Sequence, residues 1–315
     1  MSGMLSRTRA IVLMGLSAGL SSVASSATFN FATIDDPGAP SGTTSASGIN
    51  DAGQIVGSAG YGFEDIGGIF TTIAVPADPT GHYPTSLTGI NNNGQIVGYY
   101  SGFLSKEFGL LYSGGAYTSP CQCYVGGIND SGDMVGQSYI IPPSSFLSIG
   151  GTFTTIADPS GPYPISTSAD GINNADQVVG SYTDASGQVH AFLYSGGTFT
   201  NFDDPSASGK TVAEGINNNG QVVGYYSDAS GQVHGFLDIG GLFTTIDDPL
   251  ATGGTYANGI NDEGQIVGTY YDASGSHGFL ATPATASPEP STLEMTVVMS
   301  LGIAGFAMRK RYCPV

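Results

Sequence analysis

FATIDDP, residues Phe31–Pro37, returns almost letter for letter as FTTIDDP, residues Phe243–Pro249. Around these segments the tripeptide Gly-Ile-Asn recurs at Gly48, Gly89, Gly127, Gly171, Gly215 and Gly259, with spacings of 41, 38, 44, 44 and 44 residues. Self-similarity at such a period is the signature of a repeat architecture. Each Gly-Ile-Asn leads through an Asn/Asp-rich turn into an apolar stretch such as QIVGYY, which is a hairpin signal. A loop such as SDASGQ follows, then VHGFLD, a Gly-Gly turn and LFTTI. Asp-Asp-Pro then breaks the pairing, because proline cannot donate to a strand ladder.

Each unit therefore reads as a four-stranded meander joined by short internal turns and a longer link to the next unit. Units of about 40–45 residues built this way are those of a β-propeller. The sixth unit supplies three strands and stops at SHGFLATPA, without the Gly-Gly turn or a fourth strand. The missing strand stands at the other end of the chain, at Phe31–Pro37. Over residues 28–284 the expectation is thus an all-β, six-bladed propeller of four-stranded blades, closed when the N-terminal strand completes the last blade. A linear solenoid would leave two unpaired edges, which favour aggregation.

Composition supports this reading. Among 315 residues there are 49 Gly and only 10% charged residues, yet 40% are hydrophobic, with 17 Tyr and 15 Phe. Glycine is costly inside a helix, whereas Thr, Tyr and Val favour strands. The net charge of −18 argues against nucleic-acid partners, which call for a basic footprint. Between Thr28 and Ser287 the only cations are Lys106 and Lys210, so packing and backbone pairing must carry stability.

The chain ends read as addresses. Arg7 and Arg9, the run AIVLMGLSAGL and the small residues SSVASSA describe a signal peptide over residues 1–27, cut by signal peptidase after Ala27. Residues 285–315 carry Pro288, Glu289 and Pro290, an apolar stretch over about 291–308 of membrane-span length, and Arg309, Lys310 and Arg311. The positive-inside rule would keep this basic tail cytoplasmic. The arrangement resembles the PEP-CTERM sorting signal of Gram-negative bacteria. That resemblance implies a C-terminal transmembrane helix held transiently in the inner membrane, exosortase as a processing partner, and a destination at the cell surface or outside it, often alongside exopolysaccharide. The repeats themselves resemble the HAF family of probable extracellular repeats, through His190, Ala191 and Phe192 and the variants at His234 and His277. This resemblance implies export and says little about activity.

Chemistry is sparsely signalled. His190, His234 and His277 repeat at one blade position, which points to a structural role, and His82 stands alone in an inter-blade loop. Cys121 and Cys123 are a candidate disulfide, and Cys313 lies in the tail. No G-x-S-x-G elbow, P-loop or zinc-hydrolase motif appears, and no catalytic residue is singled out. The D-to-A links and B-to-C loops of a four-stranded meander share one face. Asp35, Asp36, Asp158, Asp203, Asp204, Asp247 and Asp248, with Asp184, Asp228 and Asp272, should gather there. Such an oxygen-rich rim suits Ca2+, which takes ~6–8 oxygen ligands, although Asp before Pro is first a turn signal. The leading expectation is a non-enzymatic structural or interaction module associated with extracellular polysaccharide. The alternative is a carbohydrate-active hydrolase or lyase, marked by an acidic cluster that breaks the repeat symmetry. The irregular SKEFG and YIIPPSS segments of the second and third units are where that cluster is expected.

Overall fold

The structure, a computed structural model, describes residues 28–75, 85–102, 106–139, 144–157 and 167–284. Strand β1 (Phe29–Ile34) precedes blade 1, formed by β2–β5 (Ser45–Ile49, Gln54–Ser58, Gly62–Ile66, Ile69–Ile73). Blade 2 is β6–β9 (Thr85–Ile90, Ile96–Ser101, Glu107–Ser113, Ala116–Thr118), and blade 3 is β10–β13 (Cys123–Ile128, Met134–Ser138, Ser144–Ile149, Thr152–Ile156). Blade 4 is β14–β17 (Thr167–Ile172, Val178–Thr183, Val189–Ser195, Thr198–Phe202), and blade 5 is β18–β21 (Thr211–Ile216, Val222–Ser227, Val233–Ile239, Leu242–Ile246). Blade 6 comprises β22–β24 (Gly254–Ile260, Ile266–Asp272, Gly275–Pro283) with β1 at its rim. The protein is a six-bladed β-propeller.

Ring closure follows the expectation from Phe31–Pro37. β1 runs antiparallel to β24, from Phe29 opposite Pro283 to Ile34 opposite Gly278. No helix occurs among the described residues, and none is long and apolar enough to cross a membrane. The expected transmembrane helix over about 291–308 lies outside the described residues, as do Ala27, Pro288, Glu289, Pro290, Arg309, Lys310 and Arg311. The described residues are all-β without a helical element, and the membrane anchor and the localisation drawn from it gain no support from them.

The repeated letters have direct physical causes. Every innermost strand carries a register shift one residue before its Gly-Ile-Asn, as between Ala213 and Gly215 in β18. The extra residue of such a bulge is unpaired and bends the strand. The bend carries a carbonyl across the second strand, so a Cβ at Gly224 would collide with the Val212 oxygen. That collision explains the glycine of QVVG. In the third strand His234 sits at the rim, Gly235 lets the next blade approach, and Phe236 is fully buried. A buried Phe contributes about 1.5–3 kcal/mol. The core lies between blades: Val223, Leu237 and Ile246 of blade 5 pack on Ala257, Ile260, Ile266, Tyr270 and Phe279 of blade 6.

The asparagine of each Gly-Ile-Asn binds the ring circumferentially. Asn50 Nδ2 donates to the Asn91 carbonyl, Asn91 to Asn129, Asn129 to Asn173, Asn173 to Asn217, Asn217 to Asn261, and Asn261 back to Asn50. A second closed circle follows through the next residue, where each backbone N–H reaches the side-chain oxygen of the neighbouring blade, ending with Asp262 on Asp51. This double circle rings one end of the central channel.

Candidate functional site

The bulges aim a set of side chains at the opposite end of the channel. Ser47, Thr88, Gly126, Asp170, Glu214 and Asn258 are the six equivalent bulge residues, and together they line the channel lumen. Only Asp170 and Glu214 are carboxylates, and they stand on adjacent blades. The strands carrying them approach closely, since a Cβ at Gly171 would come within 2.8 Å of the Glu214 carbonyl oxygen.

The pair forms one wall of a pocket of about 430 Å³ together with Tyr124, Tyr139, Lys210 and Tyr225. Its volume falls within the range of small-molecule sites. Ser168 Oγ donates to Asp170 Oδ1 at 2.7 Å. Burial pushes the Asp170 carboxyl up to about 6, against the pull of that hydrogen bond. Glu214 rises well above the ordinary carboxylate range, first by burial and then by the nearby Asp170 charge, while Lys210 draws it down. The Lys210 ammonium lies 4.8 Å from the Tyr225 ring centre, a cation–π contact. Burial also raises the Tyr124, Tyr139 and Tyr225 hydroxyls, so all three stay protonated donors at neutral pH. Two carboxyl groups whose environments separate their proton affinities are the ordinary equipment of acid–base catalysis.

The histidines form a second, repeated feature on the rim. His190 Nδ1 lies 2.7 Å from Asp203 Oδ2, and its ring stacks on Tyr182. His234 pairs the same way with Asp247 at 2.8 Å and stacks on Tyr226. His277 reaches Asp35 at 2.8 Å and stacks on Tyr270. Each Nε2 faces a second carboxylate, Asp184, Asp228 or Asp272. Ser274 Oγ also lies 2.8 Å from His277 Nε2, which resembles a nucleophile, base and orienting acid. Burial lowers the His277 pKa, but Asp35 and Asp272 outweigh it and raise the net value. His190 and His234 hold the two equivalent carboxylate partners on their own blades, so the repeated clamp is structural.

The aspartates of the expected cation rim take part in these clamps and in turns. Asp35, Asp203 and Asp247 hold the histidines. Asp36, Asp204 and Asp248 accept from the backbone N–H of Gly38, Ser206 and Leu250, capping the links. No group of three or more metal-ligating side chains forms among the described residues. Cys121 and Cys123 are joined as a disulfide. They border a cavity of about 550 Å³ whose lining, including Phe146 and Phe153, carries no charge. His82 and Asp158 lie outside the described residues.

The carboxylate pair thus falls on blades 4 and 5, while among the described residues the irregular segments of blades 2 and 3 bring Tyr139, hydrogen-bonded to Glu107, to the same pocket. Its sequence signal was the residue before each Gly-Ile-Asn, which reads Ser, Thr, Gly, Asp, Glu, Asn around the ring.

No protein-family profile matches the chain, and no curated protein does, so the resemblances to HAF repeats and to the PEP-CTERM signal gain no support. Similar solved structures include the six-bladed fungal lectin of Aleuria aurantia, at 12% identity and TM-score 0.47, covering 79% of this chain and 98% of the lectin. AofleA from Arthrobotrys oligospora has 12% identity and TM-score 0.45, with coverage of 82% and 94%. The gluconolactonase XC5397 from Xanthomonas campestris has 12% identity and TM-score 0.38, with coverage of 68% and 89%. At such identities a likeness concerns fold alone.

Proposed function

We propose that the protein is a carbohydrate-active acid–base enzyme, a hydrolase or lyase, whose pair is Asp170 and Glu214. The observation that carries this reading is the break in symmetry: of six equivalent bulge positions, two neighbours alone hold carboxyl groups, over a pocket. With Asp170 at about 6 and Glu214 well above its ordinary range, the pair divides its roles near neutrality. In this reading Asp170 serves as the base, and Glu214, whose carboxyl the Asp170 charge raises further, serves as the acid. In hydrolysis Glu214 protonates the departing glycosidic oxygen while Asp170 takes a proton from the attacking water. In elimination Asp170 takes a carbon-bound proton instead, and Glu214 again protonates the leaving oxygen.

A saccharide suits the rest of the pocket. Ser168, Ser181, Thr183, Gln137 and the tyrosine hydroxyls offer donors and acceptors on walls that also present aromatic faces. The test is release of reducing ends, and of unsaturated sugar ends by ultraviolet absorbance, from a polysaccharide panel. Asp170→Asn and Glu214→Gln should each lose at least about a hundredfold in rate, the scale of general acid–base contributions. Glycan binding without turnover by the wild-type protein would return the molecule to the class of interaction modules.

A further inference from the structure

The tyrosines around Asp170 and Glu214 are distributed as unevenly as the carboxylates. On the innermost strand, two residues before each bulge residue, blades 3 and 6 carry Tyr124 and Tyr256, while blades 4 and 5 carry the smaller Ser168 and Val212. Blades 1 and 2 carry Ser45 and Ser86 there. The two blades with carboxylates are therefore open at this level, and an aromatic ring stands on either side of them. Each ring continues outward. Tyr124 packs against Tyr99 with centroids 5.2 Å apart. On the other side Tyr225 meets Tyr256 edge-on at 4.7 Å, and Tyr256 meets Tyr271 at 5.6 Å. Tyr271 is 42% exposed, whereas Tyr99, Tyr124, Tyr225 and Tyr256 are half-buried.

We infer that this site takes a sugar chain rather than a single sugar, laid across the channel mouth from Tyr99 and Tyr124 to Tyr225, Tyr256 and Tyr271, with the bond to be broken held inside the chain at Asp170 and Glu214. The inference rests on the acid–base reading for its chemistry and on the tyrosine rows for its substrate class. Sugar rings present apolar C–H faces that pack on aromatic rings, and their hydroxyls match tyrosine O–H groups. A pocket for one sugar would need such a ring only beside the carboxylates. Here the aromatic surface extends away from them in two directions, and Lys210 over Tyr225 holds one row in place. The cleavage is balanced in either mode: hydrolysis consumes one water across the broken glycosidic bond. Elimination consumes none, forms a carbon–carbon double bond as the carbon–oxygen bond breaks, and passes one proton from carbon to Asp170 and one from Glu214 to the departing oxygen.

The experiment is calorimetric titration of the full chain with cello-, chito- and galacturono-oligosaccharides from disaccharide to octasaccharide, alongside viscometry of the matching polymers. In at least one series affinity should rise with length beyond the disaccharide, and polymer viscosity should collapse before reducing ends accumulate. Tyr271→Ala, at an exposed position, should lower the ratio of octasaccharide to disaccharide affinity by about 5- to 10-fold. Tyr256→Ala should do the same if it remains folded by circular dichroism. Affinity independent of length, stepwise release of single sugars from chain ends, or no binding in any series would overturn the inference. Length-dependent binding with the Tyr271 effect but no bond cleavage would leave the chain site standing and remove the acid–base reading. Cleavage without length dependence would do the reverse.

Discussion

His277 and Asp35 stand 242 positions apart in the chain and meet at 2.8 Å, where the third strand of the last blade is covered by β1. The bond turns a local clamp, used within a single blade at His190 and His234, into the latch between the two ends of the propeller.

The latch should be pH-dependent in a definite direction. The folded His277 pKa is raised, so its contribution is full below the ordinary histidine value and fades as pH rises through the raised one. Asp272 is lowered, chiefly by the Ser274 hydroxyl, so its share is present above the ordinary carboxylate value and fades as pH falls through the lowered one. The difference in Tm between wild type and His277→Gln should be largest in the interval between those limits and shrink on either side. A difference that grew steadily toward alkaline pH would contradict the clamp.

The asparagine circle should be the costliest polar feature to interrupt. Asn217 is 4% exposed. Its Nδ2 donates to Gln221 Oε1 and the Asn261 carbonyl, and its Oδ1 accepts from the N–H groups of Asn219 and Gln221. Asn217→Ala leaves those partners, the buried Asn261 carbonyl among them, without their bonds and should cost about 2–3 kcal/mol in chemical denaturation. Asn218→Ala, one residue on and exposed, should cost less, because water replaces what it removes.

A third test concerns the bulge geometry that positions the site. Gly224→Ala places a methyl group against the Val212 carbonyl, one strand from Glu214, with a phenylalanine ring on its other side. The expected loss is about 3 kcal/mol or more, seen as a lower Tm, because neither backbone nor ring can yield cheaply. Gly231→Ala, in an open loop where nothing lies near the added carbon, carries only the strain of its positive φ of 86° and should cost less.

These tests also mark how far the sequence speaks for itself. Closure is legible because Phe31–Pro37 copies Phe243–Pro249, and a missing strand has only one place to go. The histidines are legible as structural because they keep the repeat. The carboxylates are harder to see. Asp170 and Glu214 are 44 residues apart, and each reads as one polar residue beside a glycine. Their convergence depends on a bulge that turns the unpaired residue toward the axis, and strand alternation does not show that a bulge is present. The irregular letters around SKEFG and YIIPPSS reach the same pocket only through Tyr139, hydrogen-bonded to Glu107, and do not supply the paired carboxylates. The Asp-Asp-Pro links suggest a cation rim, because composition does not show that one aspartate pairs with histidine while the next caps its own turn.

The last prediction sets function against stability at a single residue. Folding raises the Asp170 pKa from an ordinary 3.8 to about 6, so the folded state prefers the protonated carboxyl. Its stabilising contribution is therefore full below the ordinary value and is lost as pH rises toward about 6; above that, the folded protein holds a carboxylate it would rather keep neutral. Asp170→Asn replaces that charge with a neutral group of the same shape that can still accept from Ser168. At pH 7 the variant should be more stable than wild type by about 1–3 kcal/mol, and the two should converge in acid below the ordinary carboxylate pKa. Glu214→Gln should follow the same direction, because burial raises that carboxyl as well. Denaturation curves across the pH range, paired with turnover measurements, separate this from a merely structural aspartate. A carboxylate kept for packing would cost stability when replaced, whereas one kept for catalysis in an unfavourable setting yields a more stable and less active protein.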